Sequence, residues 1–250
     1  MNGASDIVPI LLLLLFGLAV SLGTGIIVLV LRKGRPQVSA EPGAILHPVV
    51  PSVAAPALLL HRPNCWLAVK SRDLFAVQAA LGLHNPRPCP CCEGLAGENK
   101  LFISPPIKGW VLVVGSGVPD PLDDVDLCFR FVMELSRKVG EVHLFSACRI
   151  LHHHGWVRAE RGRVRRAYVW AGQTLWNQGE QTRMEKELNL KCFDYADAGQ
   201  GSTFSLPEGV AHNVERLPLL AASWSLDPAH IEERLLEAAC GIAGEPSRRF

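Results

Sequence analysis

From Ile7 to Leu31 the chain reads IVPILLLLLFGLAVSLGTGIIVLVL, 25 residues without a charged side chain. No other stretch restricts its folding as strongly. As a helix rising about 1.5 Å per residue it would be roughly 37 Å long, enough to cross a hydrocarbon core of about 30 Å with some tilt. A cleaved signal peptide would instead begin with a basic stretch and carry a shorter apolar core. Here the residues before the run include Asp6 and no Lys or Arg. The run therefore predicts an uncleaved signal-anchor, a transmembrane helix over 7–31. Arg32, Lys33 and Arg35 follow it directly. By the positive-inside rule that flank faces the cytoplasm and residues 1–6 lie outside. The expectation is a single-pass protein of the cell membrane with the lipid bilayer as its partner. Gly17, Ser21 and Gly25 recur every fourth residue. Such a face would let two helices approach closely as a homodimer, although Gly and Ser are also common in membrane helices generally.

Residues 32–63 follow as a basic flank and a proline-rich linker. Pro36, Pro42, Pro48, Pro51, Pro56 and Pro63 are spaced so that no regular helix or central strand runs through them. The segment reads as an extended tether.

A globular domain is expected over 64–240, with a flexible tail over 241–250. CWLAVK (65–70) suggests a strand, and SRDLFAVQAALGL carries Leu74, Val77 and Leu81 at helical spacing before Gly82. KLFIS (100–104) and GWVLVVG (109–115) read as strands joined through Pro105-Pro106. DDVDLCFRFVMELSRKVG has the clearest helical stripe, with Gly140 placed to stop it, and EVHLFSA (141–147) is the next strand. A hairpin turning at Arg161-Gly162 and a helix capped by Asp227 and Pro228 complete the series. The order β-α-β-β-α-β predicts an α+β class: the transmembrane helix, then a cytoplasmic ferredoxin-like domain with an added β-hairpin and C-terminal helix.

RPCPCCEGL places Cys89, Cys91 and Cys92 within four positions. Zinc sites pair ligands as C-x₂₋₄-C, and these spacings are too tight for a self-contained site. His152, His153 and His154 are the nearest complement, and with them a tetrahedral zinc site or a redox-sensing thiol would close only if the two loops met. Three successive histidines on a strand cannot all point one way. An ordinary proline-rich loop and a solvated junction explain both runs without a metal, and a cytoplasmic domain would keep the thiols reduced. Cys128 and Cys148 read as small buried hydrophobes.

Other signatures point away from catalysis and nucleic acid. GSG at 115–117 precedes VPDPLDD, whose Asp120, Asp123, Asp124 and Asp126 suit helix capping better than a phosphate or a cation. An RNA-recognition motif shares the strand order, but the segment from Lys108 to Gly115 lacks its base-stacking aromatics. With 25 basic and 24 acidic residues the net charge is +1, so no polyanion partner is implied. No hydrolase, zinc-protease or kinase signature occurs. Arg158, Arg161, Arg163, Arg165 and Arg166 crowd the hairpin. They form either a surface for lipid headgroups or an acidic partner, or a solvated face. The sequence thus predicts a non-catalytic interaction or regulatory module that needs no cofactor. The alternative is a thiol and histidine metal-binding or redox domain built on Cys89–Cys92.

Overall fold

Apolar runs bounded by turn residues account for most of the strands, and their neighbours are set by turn chemistry. In the computed structural model the described residues are 63–96, 99–195, 209–231 and 239–246. The expected span 7–31, its Gly17, Ser21 and Gly25 face, and the linker up to residue 62 lie outside them.

Among the described residues nine strands form one sheet. In chain order they are β1 (Cys65–Lys70), β2 (His84–Pro90), β3 (Leu101–Ile103), β4 (Trp110–Val114), β5 (Glu141–Cys148), β6 (His153–Glu160), β7 (Arg163–Trp170), β8 (Thr174–Gln178) and β9 (Cys240–Glu245). Across the sheet the order is β2-β9-β3-β4-β1-β5-β6-β7-β8. Every neighbouring pair is antiparallel. The helices are α1 (Leu74–Leu81), α2 (Cys91–Leu95), α3 (Val125–Val139), α4 (Arg183–Glu187) and α5 (Val210–Trp224).

Both faces of the sheet are covered, which is why WVLVV in β4 is apolar throughout rather than alternating. On one face Leu67, Val69, Val113 and Leu144 pack under α1 and α3 through Val77, Leu81, Val132 and Leu135. On the other, Trp66, Phe102, Phe145, Trp156 and Tyr168 pack under α5 through Val210, Leu217 and Leu220. Local signals hold where they are strong. Asp124 accepts the Leu127 N–H at 2.8 Å to start α3, and Gly140, at φ 98°, ends it. Arg161 (φ 48°) and Gly162 (φ 77°) make the left-handed turn of the β6–β7 hairpin.

The ferredoxin-like expectation is corrected. A split βαβ unit sets its first strand beside a parallel neighbour, whereas β1 lies antiparallel to both β4 and β5. The reason lies in β2, a strand where the sequence predicts a proline-rich loop. Its sequence HNPRPCP places Pro86, Pro88 and Pro90 at alternate positions, so the missing N–H groups all fall on one side. Such a strand cannot sit inside a sheet. It moves to the far edge and pairs on its other side with β9, a strand formed where a tail was expected to begin.

The membrane expectation finds no support in the structure. Among the described residues no helix is long and apolar enough to cross a membrane; α3 and α5, with 15 residues each, are amphipathic helices lying on the sheet. The expected span itself, 7–31, lies outside the described residues, so the single-pass reading finds no support in the structure. Near the C-terminus Asp227 accepts the Ala229 N–H at 3.2 Å and caps a short 3₁₀ turn, Pro228–His230. The rest of the helix expected there, 232–238, lies outside the described residues.

Candidate functional site

The thiols and the histidines do not meet. Cys89 is in β2, and Cys91 and Cys92 open α2 at one margin of the sheet. His153 and His154 are in β6, with β9, β3, β4, β1 and β5 between. Six strand spacings of about 4.8 Å separate the groups by roughly 29 Å, so no shared zinc site forms. Among the described residues no three His, Cys, Asp or Glu side chains are grouped to hold a metal ion. Among the described residues Cys89 Sγ has Asn99 Nδ2 at 3.8 Å and Glu93 Oε2 at 3.9 Å as side-chain polar neighbours. Burial pushes the Cys91 thiol up to about 11, with Cys240 as the next contributor. Burial likewise raises Cys89. Thiols held protonated in this way are poor nucleophiles, which weighs against redox sensing.

His154 is a structural hub. Its ring is fully buried between Trp156 and Trp170, with centroids 5.7 and 5.8 Å away and planes within 16° of parallel. Asn213, from α5, reads the backbone of Lys191. Its Oδ1 accepts the Lys191 N–H at 2.9 Å, and its Nδ2 donates to the Lys191 carbonyl at 2.7 Å. The second Nδ2 hydrogen points to His154 Nε2 at 2.9 Å. Nε2 must therefore accept, which puts the imidazole proton on Nδ1, where it donates to the His152 carbonyl at 3.1 Å. Burial lowers His154 to about 4, consistent with this neutral tautomer. His152 holds a left-handed backbone (φ 54°), and His153 meets Trp170 edge-on at 6.2 Å.

The arginines divide between surface and core. Arg161, Arg163 and Arg165 are exposed, and Arg158 is half-buried. Arg166 is buried. Its Nε donates to Glu185 Oε1 at 2.8 Å, Nη1 to Asn177 Oδ1 at 2.8 Å, and Nη2 to Cys192 Sγ at 3.1 Å. Glu185 also accepts Trp156 Nε1–H at 2.8 Å, and through its other oxygen the Thr182 N–H at 2.7 Å. This network fastens α4 and the segment after it to the sheet; it offers no free charge.

A second cluster stands at the far end of the same face. Glu141 meets Lys70 Nζ at 2.8 Å, His143 Nε2 at 3.1 Å and Arg158 Nη2 at 3.1 Å, while Arg158 also pairs with Glu160 at 2.6 Å. The hydrogen bond from His143, with Lys70 behind it, holds Glu141 down at about 2 despite partial burial. Burial lowers His143, so at neutral pH its Nε2–H faces Glu141 and its Nδ1 is a bare acceptor with no partner among the described residues. A carboxylate orienting an imidazole has the parts of a general base. However, His143 is 1% exposed and packed by Trp110 (4.7 Å) and Trp224 (5.7 Å), so a substrate would have to displace those rings.

The sequence reading missed the most exposed apolar group. The turn between β5 and β6 carries Ile150 and Leu151 at 90% and 56% exposure, with Arg149 exposed beside them. Eight register pairs between β5 and β6 hold this tip in place. The available signal was two adjacent aliphatic residues in a turn, a place where polar ones are usual.

Comparison with family models, with curated proteins and with solved structures finds no match to the chain.

Proposed function

We propose that the domain is a non-catalytic interaction module and that its contact surface is the β5–β6 tip. The observation that carries this is the exposed pair Ile150 and Leu151 on a rigid hairpin. Fully burying two such side chains is worth about 3–6 kcal/mol before the costs of association, which suits a weak, reversible contact. Arg149, exposed beside them, gives the tip a positive charge. The partner that fits is a protein with a small apolar cleft and carboxylates at its rim. The polar networks around Arg166 and His154 support the same reading, because they spend their groups on holding the scaffold rather than on presenting chemistry.

The test uses the full chain with a photo-crosslinking residue at position 150. A discrete protein adduct is expected, lost in Leu151→Asp and weakened in Arg149→Glu while circular dichroism stays unchanged. An adduct pattern indifferent to both substitutions would sink the proposal.

A further inference from the structure

The CPCC segment, which supplies no metal site, forms one wall of a cavity of about 150 Å³. Cys91 and Leu95 of α2 line one side, and Ser104 to Ile107, between β3 and β4, line another; Ala239, just before β9, completes it. Cys91, Leu95, Ser104 and Ile107 are buried, while Pro106 is exposed, so the mouth lies at the proline pair.

The chemistry of the lining is apolar for definite reasons. Pro105 and Pro106 have no N–H. The Ser104 hydroxyl is used up, accepting the Leu112 N–H at 2.9 Å and donating to the Pro105 carbonyl at 2.9 Å. The Cys91 N–H is spent on the Ala239 carbonyl at 3.2 Å, and its thiol is held neutral. Among the described residues no charged side chain lines the space.

The walls are also stiff. Two backbone hydrogen bonds between Ile107 and Trp110, at 2.7 and 2.9 Å, close the loop around Lys108 and Gly109. Residues Pro105 and Pro106 have their φ angles fixed. A cavity with such walls cannot collapse to regain packing.

We infer that this cavity is a binding site for a small, uncharged, apolar molecule of about six heavy atoms. Apolar cavities of about 150 Å³ stay dry and admit benzene or xenon. The Cys91 sulfur adds a polarisable contact that favours an aromatic ring. An anion or an ammonium group finds no counter-charge and is excluded. The inference is independent of the β5–β6 tip.

Benzene, added to the full chain, is the probe. Saturation transfer from protein to benzene is expected. In about 10 mM benzene, taken as ten times a dissociation constant of about 1 mM, the unfolding midpoint should rise by about 3–6 °C. Benzoate at the same concentration should do neither. Ala239→Leu fills the cavity and should abolish both benzene signals; Ile107→Phe fills it from the opposite wall and serves if the first variant loses its circular dichroism. No effect of benzene on the parent chain overturns the inference. Equal effects in a folded, filled variant overturn it too, because benzene is then bound elsewhere, and so does benzoate binding as well as benzene.

Discussion

Arg166 Nε lies 2.8 Å from Glu185 Oε1, with the two side chains 2% and 0% exposed, so a full ion pair sits inside the layer between the sheet and α4. Three donors converge on the Glu185 carboxylate: Arg166, the Trp156 indole and the Thr182 amide. Glu185 also completes a capping box with Thr182 that starts α4. Removing the carboxylate would strand a buried guanidinium and an indole N–H together. Glu185→Ala should therefore cost about 3–5 kcal/mol in urea denaturation, well above a surface pair. The paired replacement Arg166→Met with Glu185→Leu should cost much less than the sum of its single variants, since neither charge is then left alone. A single-variant cost below about 1 kcal/mol would show that the pair is solvated in solution.

The tautomer that Asn213 imposes on His154 gives stability a pH dependence. The folded value near 4 is below the ordinary 6.5, so between those limits the unfolded chain binds a proton that the folded chain refuses. Stability then rises with pH across this window and is lost on acidification, by on the order of 3 kcal/mol from pH 7 to pH 4. His143, also lowered by burial, acts in the same direction. Glu141 adds a further loss as pH falls from 4.5 toward 2. Unfolding free energies measured at intervals from pH 7 to pH 4 should fall steadily, and His154→Gln, which keeps an acceptor for Asn213, should flatten the slope. An NMR titration placing the His154 midpoint near its ordinary value would refute this account.

Sequence and structure part company where a strand's partner is remote. The β6–β7 hairpin and α3 could be read because their signals are local: Arg161-Gly162 in one case, Asp124 and Gly140 in the other. β2 could not, because HNPRPCP has neither alternation nor β-formers, and Arg87 finds its partner Ala243 at the other end of the domain. Strand order is equally hidden, which is why the cysteine and histidine runs looked able to meet. The burial of Arg166 was open to inference. Arg165 and Arg166 are adjacent in a strand and must face opposite ways, and Arg166 shares its period-two face with Tyr168 and Trp170.

Phe102 is clamped between two glycines, which makes a packing prediction. A β-carbon on Gly94 would meet the Phe102 ring, and one on Gly241 would meet both that ring and the Ile103 carbonyl. Gly94→Ala should lower stability by about 1–3 kcal/mol through overpacking. Phe102→Leu in the same chain should recover part of that loss, because its clash is with a side chain. Gly241→Ala should resist such rescue, since the Ile103 backbone cannot move aside without breaking its pairing with β4. Thermal denaturation of the four variants decides the matter, and equal rescue of both glycine substitutions would contradict it.

An exposed strand edge with free N–H and C=O groups recruits other chains. In β2 the alternate prolines, Pro86, Pro88 and Pro90, leave that side without donors at three of seven positions. An added strand would find acceptors but few N–H groups to pair with, and its own carbonyls would go unmet. Replacing Pro86 and Pro88 together with Thr restores two donors and introduces a β-branched residue at each site. The pairing of β2 with β9 uses the opposite side, through residues such as Arg87 and Cys89, so the fold should survive the change. Self-association should increase, seen as a higher weight-average mass in light scattering and a steeper dependence on concentration. A doubly substituted chain that stays as monodisperse as its parent would show that the prolines serve only to place β2 at the edge, not to close it.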